Sequence, residues 1–325
     1  MTHALITGGA GFIGSHLSEY LLKLDYEVTI IDNLSTGRFE NIQHLINNPH
    51  FHYALEDIRN IHVIDRLVSE CDIIFHLAAA VGVQKIISEP INTIEVNIGG
   101  TEVILQTARR YRRKVMLAST SEVYGKGVRF PFQEDDDTLM GPTIRSRWSY
   151  ATSKAVDEFL ALAYHYEVDL PVVIFRLFNT VGPRQHGQYG MVLPRFVQWA
   201  LNNEPIQVYG DGEQQRCFGN VYDIVEAIYL LSISEDAVGN VFNIGTTEEV
   251  SMYELAERVV ARSGSQSEIQ LIPYEKAYST PGFEDFKRRV PSIDKIKSVI
   301  SWEPKTQLDQ TIDQIVDYYR GKAHG

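Results

Sequence analysis

Ala4-Leu5-Ile6-Thr7-Gly8-Gly9-Ala10-Gly11-Phe12-Ile13-Gly14 runs from a short apolar segment, through a glycine-rich turn, into an amphipathic stretch. Ala4 to Thr7 predicts a strand, and Phe12 to Leu24 predicts the helix that follows. Gly8 allows the tight turn, Gly11 lets backbone approach a pyrophosphate, and Gly14 lets helix and strand pack closely. The helix N-terminus, opened by Phe12 and Ile13, offers free N–H groups to phosphate oxygens.

The same alternation continues outward. Glu27 to Asp32, Asp72 to Leu77, Lys114 to Ser119 and Pro171 to Arg176 are compact apolar runs, as in strands covered on both faces. Helical patterns lie between them, notably Pro90 to Tyr111 and Ser149 to Tyr166. This predicts an α/β protein with a Rossmann-type doubly wound parallel sheet. After about residue 180 the pattern becomes less regular, which predicts a smaller α/β C-terminal substrate-binding region. We expect a cofactor domain over residues 1–180 and a substrate region over 181–325, with some chain exchange between them. The expected C-terminal pieces are Val192 to Asn202, Ile206 to Tyr209, Val221 to Ser232, Val241 to Ile244, Met252 to Ser263 and Leu308 to Tyr319. Glu134 to Asp137 reads as a solvated acidic loop.

Composition bounds the function. With 325 residues, 44% of them hydrophobic, the chain has ample material for a core. A net charge of -12 argues against nucleic acid or an anionic membrane as partner. Two cysteines, Cys71 and Cys217, make a disulfide framework unlikely and fit a cytoplasmic, reducing compartment. The N-terminus shows no signal-peptide pattern and no run approaches a membrane span. The histidines form no metal-binding spacing, so no metal is expected.

Asp32 ends the second strand, where a carboxylate can bind ribose hydroxyls and repel a 2′-phosphate; this favours NAD over NADP. Asn33, Ser35, Thr36 and Gly37 continue that wall. Asp57 and Ile58 are expected near the adenine edge. Leu77, Ala78 and Ala79 follow a strand with small side chains that let backbone lie against a cofactor. Asn97, Ala118 and Ser119 complete the expected cofactor contacts.

Tyr150 and Lys154 stand four residues apart and share one helix face. An ammonium beside a phenol lowers its pKa, which would suit Tyr150 to act as general base at neutral pH. Lys154 can also hold the nicotinamide ribose. Ser119-Thr120-Ser121 at the end of a strand strengthens the reading, because ligands of open α/β sheets bind beyond those ends.

From Thr7 to about Trp302 the chain resembles the extended short-chain dehydrogenase/reductase superfamily, in its nucleotide-sugar branch. Thr120-Ser121-Glu122-Val123-Tyr124-Gly125, Arg147-Trp148-Ser149-Tyr150 and Arg288-Arg289-Val290-Pro291-Ser292 resemble the UDP-glucuronate decarboxylase, or UDP-xylose synthase, group. Typical 4-epimerases of the branch have no glutamate at the position of Glu122, and 4,6-dehydratases usually carry an Asp-Glu pair where this chain has Ser121-Glu122. The resemblance implies oxidation at C4 of a sugar acid to a β-keto acid, loss of CO2, and reduction again at C4. It implies catalytic roles for Tyr150, Lys154, Thr120, Ser121, Glu122 and Arg289, with Arg289 holding the carboxylate or aiding protonation. Glu122 would position water or act on the ring. One departure is the loop Val81 to Lys85, which replaces the group's Pro-rich, Tyr-bearing loop; Gln84 and Lys85 would contact substrate there.

Asn179 and Arg184, in Phe178 to Arg184, resemble the family's diphosphate-contact segment. Val192, Gln207, Tyr209 and Arg216 resemble its nucleotide pocket: a tyrosine can pack on a base, and an arginine can bind phosphate oxygens bidentately. The leading expectation is a UDP-glucuronate decarboxylase acting on a UDP-sugar as a homodimer. The alternatives are a 4-epimerase of UDP-glucose, UDP-glucuronate or UDP-N-acetylglucosamine, then a 4,6-dehydratase or a non-catalytic NAD-binding sensor.

Overall fold

The computed structural model describes residues 1–82, 86, 88–187, 191–274 and 288–323. Gln84 and Lys85 lie outside these. Six strands follow in order: β1 (His3–Thr7), β2 (Glu27–Ile31), β3 (Phe51–Ala54), β4 (Ile73–His76), β5 (Lys114–Thr120) and β6 (Val172–Leu177). They join with Asn240–Ile244, the eleventh strand of the chain and hence β11, in one seven-stranded sheet ordered β11-β6-β5-β4-β1-β2-β3. Every ladder in it is parallel. The order reverses between β1 and β4, and that switch point opens a crevice beyond the strand ends.

Both sheet faces are dry because successive strand residues feed opposite cores. Ile6, Ile30, Phe75, Met116 and Val173 pack with Leu17 and Leu21 of α1 (Phe12–Lys23). Their neighbours Leu5, Ile31, Ile74, Val115 and Ile174 pack on the other side with α2 (Ile61–Glu70), α3 and α4. Helix α3 opens at Pro90–Ile94, passes through a π-helical turn at Glu95–Gly99 and continues over Gly100–Tyr111. Helix α4 is Trp148–Val168.

The rest builds the second half. Strands β7 (Thr180–Val181) and β10 (Gly219–Asn220) pair with each other. Helices α5 (Val192–Leu201), α7 (Met252–Ser263) and α9 (Leu308–Ala323) bury Leu193, Val197, Leu255, Val259, Ile312 and Ile315 in a third core. It lies against β8 (Ile206–Tyr209), which pairs with β13 (Ile269–Ile272). Strand β9 (Gln215–Cys217) pairs with β12 (Glu249–Ser251) and with β14 (Arg288–Arg289). Helix α6 (Val221–Ile233) returns to the large sheet beside α1, and α8 (Asp294–Ile300) lies near β11.

Three features differ from the sequence reading. The segment around Val241 to Ile244, expected in the substrate region, is an edge strand of the large sheet. Helices α2 and α8 were not expected. The acidic run is not wholly solvated: Glu134 accepts a 2.8 Å hydrogen bond from the Asn243 N–H, and burial raises its carboxyl above the usual range. It closes one backbone donor on the free side of β11, which limits edge pairing.

Among the described residues, no helix is long and apolar enough to cross a membrane. Among them, too, no group of three or more His, Cys, Asp or Glu is arranged to hold a metal ion.

Candidate active site

The glycine turn sits at the crevice between β1 and β4. Gly8 has φ +70°, and a Cβ on it would meet the Ala78 backbone nitrogen at 2.9 Å. A Cβ on Gly14 would come within 2.3 Å of the Gly8 carbonyl. Turn, helix start and the Leu77–Ala79 loop therefore touch backbone to backbone, leaving a cradle that side chains would fill. That shape fits a dinucleotide phosphate group, with Gly11, Phe12 and Ile13 at its helix N-terminus.

Asp32 is buried at the end of β2. Its carboxylate accepts hydrogen bonds from Ala10 N at 3.0 Å and Leu34 N at 2.8 Å, and Gly37 packs against it. Burial raises the Asp32 carboxyl, partly offset by these N–H donors. Asn33 accepts from Ser35 N at 3.0 Å and shapes the exposed loop that also carries Thr36. Asn97 lies in the π-helical turn. Its Oδ1 accepts from Ala80 N at 2.8 Å and its amide donates to Ser153 Oγ at 3.0 Å, so it ties the cradle loop to α4. Local helix widening of this kind recurs at functional sites.

The catalytic group forms where β5 ends. Thr120 Oγ1 accepts from Glu122 N at 3.2 Å and starts a 3-10 turn over Ser121–Tyr124. The same hydroxyl hydrogen-bonds the Tyr150 phenol. Tyr124 stacks on Phe132 at 4.5 Å and donates to Asn243 Oδ1 at 2.6 Å. Asn243 in turn donates to the Phe132 carbonyl at 3.0 Å, while Phe132 N donates to the Val290 carbonyl at 2.8 Å. This clamp places β14, whose alternation sends Arg288 outward to Glu249 and Arg289 inward to Glu122 and Ser121.

Glu122 is therefore ringed by guanidiniums. Arg147 bonds it directly, and Arg289 lies 3.7 Å away. Arg216, in register with Arg289, adds a third positive charge. Burial alone would raise the Glu122 carboxyl, yet the three arginines outweigh it and hold the group below the usual range. Glu122 is thus a carboxylate at neutral pH, suited to positioning or accepting a proton rather than donating one.

One expectation is corrected, and several expected site residues have other partners in this structure. Tyr150 is not lowered by Lys154: burial, then the charge on Glu122, raises it above its ordinary value. The Lys154 ammonium sits 2.7 Å from Asp157, whose negative charge raises the phenol further. Ser119 points to the other face of β5, where its hydroxyl donates to Glu158, which also pairs with Arg176 at 2.8 Å. Ala118 packs in the adjoining core. Asp57 is taken up by Arg59 at 2.9 Å, and Ile58 is a core residue beneath Gly100. Arg184 turns away to Glu19 and Ser15 on α1. The Asn179 amide donates to the Cys217 carbonyl at 2.9 Å. Arg216 belongs with Glu122, apart from Val192, Gln207 and Tyr209.

Those three residues do meet, around a cavity of about 70 Å³ that Arg195, Gln214 and Tyr274 also line. Arg195, unremarked in the sequence, donates to Tyr209 Oη at 2.6 Å and stacks over its ring at 5.3 Å. Arg147 stood inside a quoted motif without a role. Asp157 was missed because a carboxylate three residues beyond a lysine is ordinary on any helix face.

The family model for GDP-mannose 4,6 dehydratase matches residues 5–315. A UDP-N-acetyl-alpha-D-glucosaminuronate decarboxylase from Bacillus cytotoxicus is 43% identical over 97% of this chain and 97% of that protein. A UDP-glucuronic acid decarboxylase 1 from Danio rerio is 36% identical over 97% of this chain and 72% of that protein. The crystal structure of a UDP-glucuronic acid 4-epimerase from Bacillus cereus, in complex with UDP-glucuronic acid and NAD, superposes with a TM-score of 0.88 at 29% identity, covering 99% of this chain and all of that one. With the cradle, the Tyr-Lys helix and nearly the full length matched, the chain belongs to the GDP-mannose 4,6-dehydratase family, within the extended short-chain dehydrogenase/reductase fold.

Proposed function

We propose that this protein is an NAD-dependent UDP-uronate decarboxylase. The observation that carries this reading is Arg147, Arg289 and Arg216 gathered on Glu122, beside the Tyr150 phenol. A sugar bearing a carboxylate at C5 suits such a site, whereas a neutral hexose makes little use of it. Residues 1–180 supply most of the cofactor half, and 181–325 most of the sugar-nucleotide half.

NAD, when bound in the cradle, accepts and returns the hydrogen at C4 with its electron pair. Tyr150 takes the proton of the C4 hydroxyl and later gives it back, with Thr120 fixing the phenol by its hydrogen bond. Arg289 and Arg147 hold the uronate carboxylate while C4 becomes a ketone. The C5–C6 bond then breaks, CO2 leaves, and its electron pair forms an enolate over C4 and C5. Protonation at C5 completes the loss, and Glu122 orients the water or acid that supplies it. Tyr209, Val192, Gln207 and Arg195 receive the nucleotide base.

Incubation with UDP-glucuronate and, separately, UDP-N-acetylglucosaminuronate tests the reading by mass spectrometry and proton NMR. Conversion of either to a UDP-pentose with loss of CO2 is the expected result. The second substrate earns its place from the relative at 43% identity. An intact mass with an inverted C4 signal would replace decarboxylation by uronate epimerisation.

The working unit is a homodimer. Ile91 and Phe159 are each 72% exposed on α3 and α4, with Ile94 and Val156 beside them. A helix-pair face this apolar calls for cover, and a second copy supplies it in an isologous contact. Phe159→Glu is expected to shift the protein from dimer to monomer by light scattering at micromolar concentration. A cytoplasmic location accompanies this reading, with Cys71 and Cys217 as buried thiols.

A further inference from the structure

Lys154 and Asp157 are both fully withdrawn from solvent, and neither partner is left alone. Lys154 Nζ donates to Asp157 Oδ2 at 2.7 Å. From Asp157 a polar chain crosses the core beneath the cofactor cradle. Thr101, on α3, acts on the Asp157 carboxylate and lowers it, while Asp157 Oδ1, buried, closes no hydrogen bond among the described residues. His76 Nε2 lies 3.1 Å from Thr101 Oγ1, and His76 Nδ1 lies 2.8 Å from Thr7 Oγ1. Ala78 N donates to Thr7 Oγ1 at 3.1 Å.

The directions of these bonds agree with one another. Ala78 N–H can only donate, so Thr7 accepts it and can pass its own hydrogen to His76 Nδ1. His76 then carries its hydrogen on Nε2 and donates to Thr101, whose own hydrogen is left to turn toward Asp157. The imidazole is neutral: burial, helped by the Lys154 charge, pushes it down to about 3. A buried network of this length is costly, the more so with Asp157 Oδ1 unpartnered, which asks what it is for.

We propose that Asp157 is a positioning residue that fixes the Lys154 ammonium, so that two of its three hydrogens face the nicotinamide ribose, and that Thr101, His76 and Thr7 lock this arrangement to the cradle loop at Ala78. The inference rests on the reading that the cradle holds NAD. It gives Asp157 a second effect. Its negative charge, three residues beyond Lys154, raises the Tyr150 phenol. Tyr150 faces Thr120 and Glu122 from the end of β5, and Arg147 and Asp157 from its own helix. Arg289 and Arg216 act on it through Glu122. Asp157 itself faces Lys154 and Glu158 on α4, Thr101 on α3, and His76 through Thr101.

A double-mutant cycle on NAD affinity tests the proposal, using titration calorimetry of the full chain stripped of nucleotide. Asp157→Asn is expected to weaken NAD binding about tenfold, and Thr101→Val by about threefold, the range of one buried charge-assisted hydrogen bond and one neutral one. In a Lys154→Met background both effects should vanish. Additive losses would overturn the proposal, because Asp157 would then act independently of Lys154. Should Asp157→Asn fail to fold, Thr101→Val carries the same cycle. The second readout is the pH profile of turnover. Removing the Asp157 charge lowers the Tyr150 pKa, so the acid limb of kcat should move to lower pH. A uniform loss of rate with an unmoved limb would mark a merely structural role and sink the idea. The calorimetry needs no sugar, so it stands whether or not the uronate assignment survives.

Discussion

Tyr150→Phe is expected to lower turnover by about 10²–10⁴-fold, the range for removal of a positioned proton-transfer group. The phenol ring packs as before, so folding and NAD affinity should stay near wild type. Only the hydroxyl that meets Thr120 Oγ1 and the reacting C4 oxygen is lost. A pre-steady-state mixing experiment follows reduced nicotinamide by absorbance. Wild type should show a transient after addition of UDP-uronate, and the variant should show none on the same time scale. Retention of the transient would remove Tyr150 from the base role and direct attention to Glu122, the carboxylate nearby.

Arg289→Gln should act at a later point. We expect overall decarboxylation to fall about 10²–10³-fold, as when one preorganised electrostatic contact is deleted from a site. Two consequences separate this from simple misfolding. Glu122 loses one of the charges that hold it below the usual range, so its carboxyl moves up. A group whose pKa is depressed stays ionised down to that lowered value, and the variant should therefore lose activity at a higher pH than wild type on the acid side. C4 oxidation depends on Tyr150 and should persist, so the reduced nicotinamide signal should build up while CO2 release lags. Equal slowing of both steps would show Arg289 to be a binding residue alone.

Much of this molecule is legible in the chain. Helix α7 matches the expected Met252 to Ser263 because both ends are written in the sequence: Ser251 accepts from Glu254 N at 3.0 Å, and Gly264 takes φ +63°. The glycine turn was readable for the same reason, since each glycine answers a close approach. Helix α2 was not, because its apolar face is short, carried by Ile64, Leu67 and Val68, and no long periodic run marks it. The placement of β11 was hidden for a different cause. A short apolar run says that it is a strand and nothing about which ladder it enters. At the site, Tyr150, Lys154, Glu122 and Arg289 carried their own signals. The register that sets Arg216 against Arg289, the turn of Arg184 toward Glu19, and the capture of Lys154 by Asp157 are tertiary facts, settled by pairing and packing that sequence spacing does not contain.

The late arrival of β11 also bears on how the protein is made. Strand β6 ends at Leu177, and the strand that covers it begins at Asn240. On a ribosome adding about 5–20 residues per second, the sixty or so intervening residues take roughly 3–13 s to emerge. Throughout that interval the nascent sheet has the glycine turn and the Tyr-Lys helix in place, but ends in an open β6 edge of bare N–H and C=O groups. A chain that stops anywhere between the two strands therefore carries an open edge able to pair with its neighbours, so truncation between Leu177 and Asn240 is expected to favour aggregation.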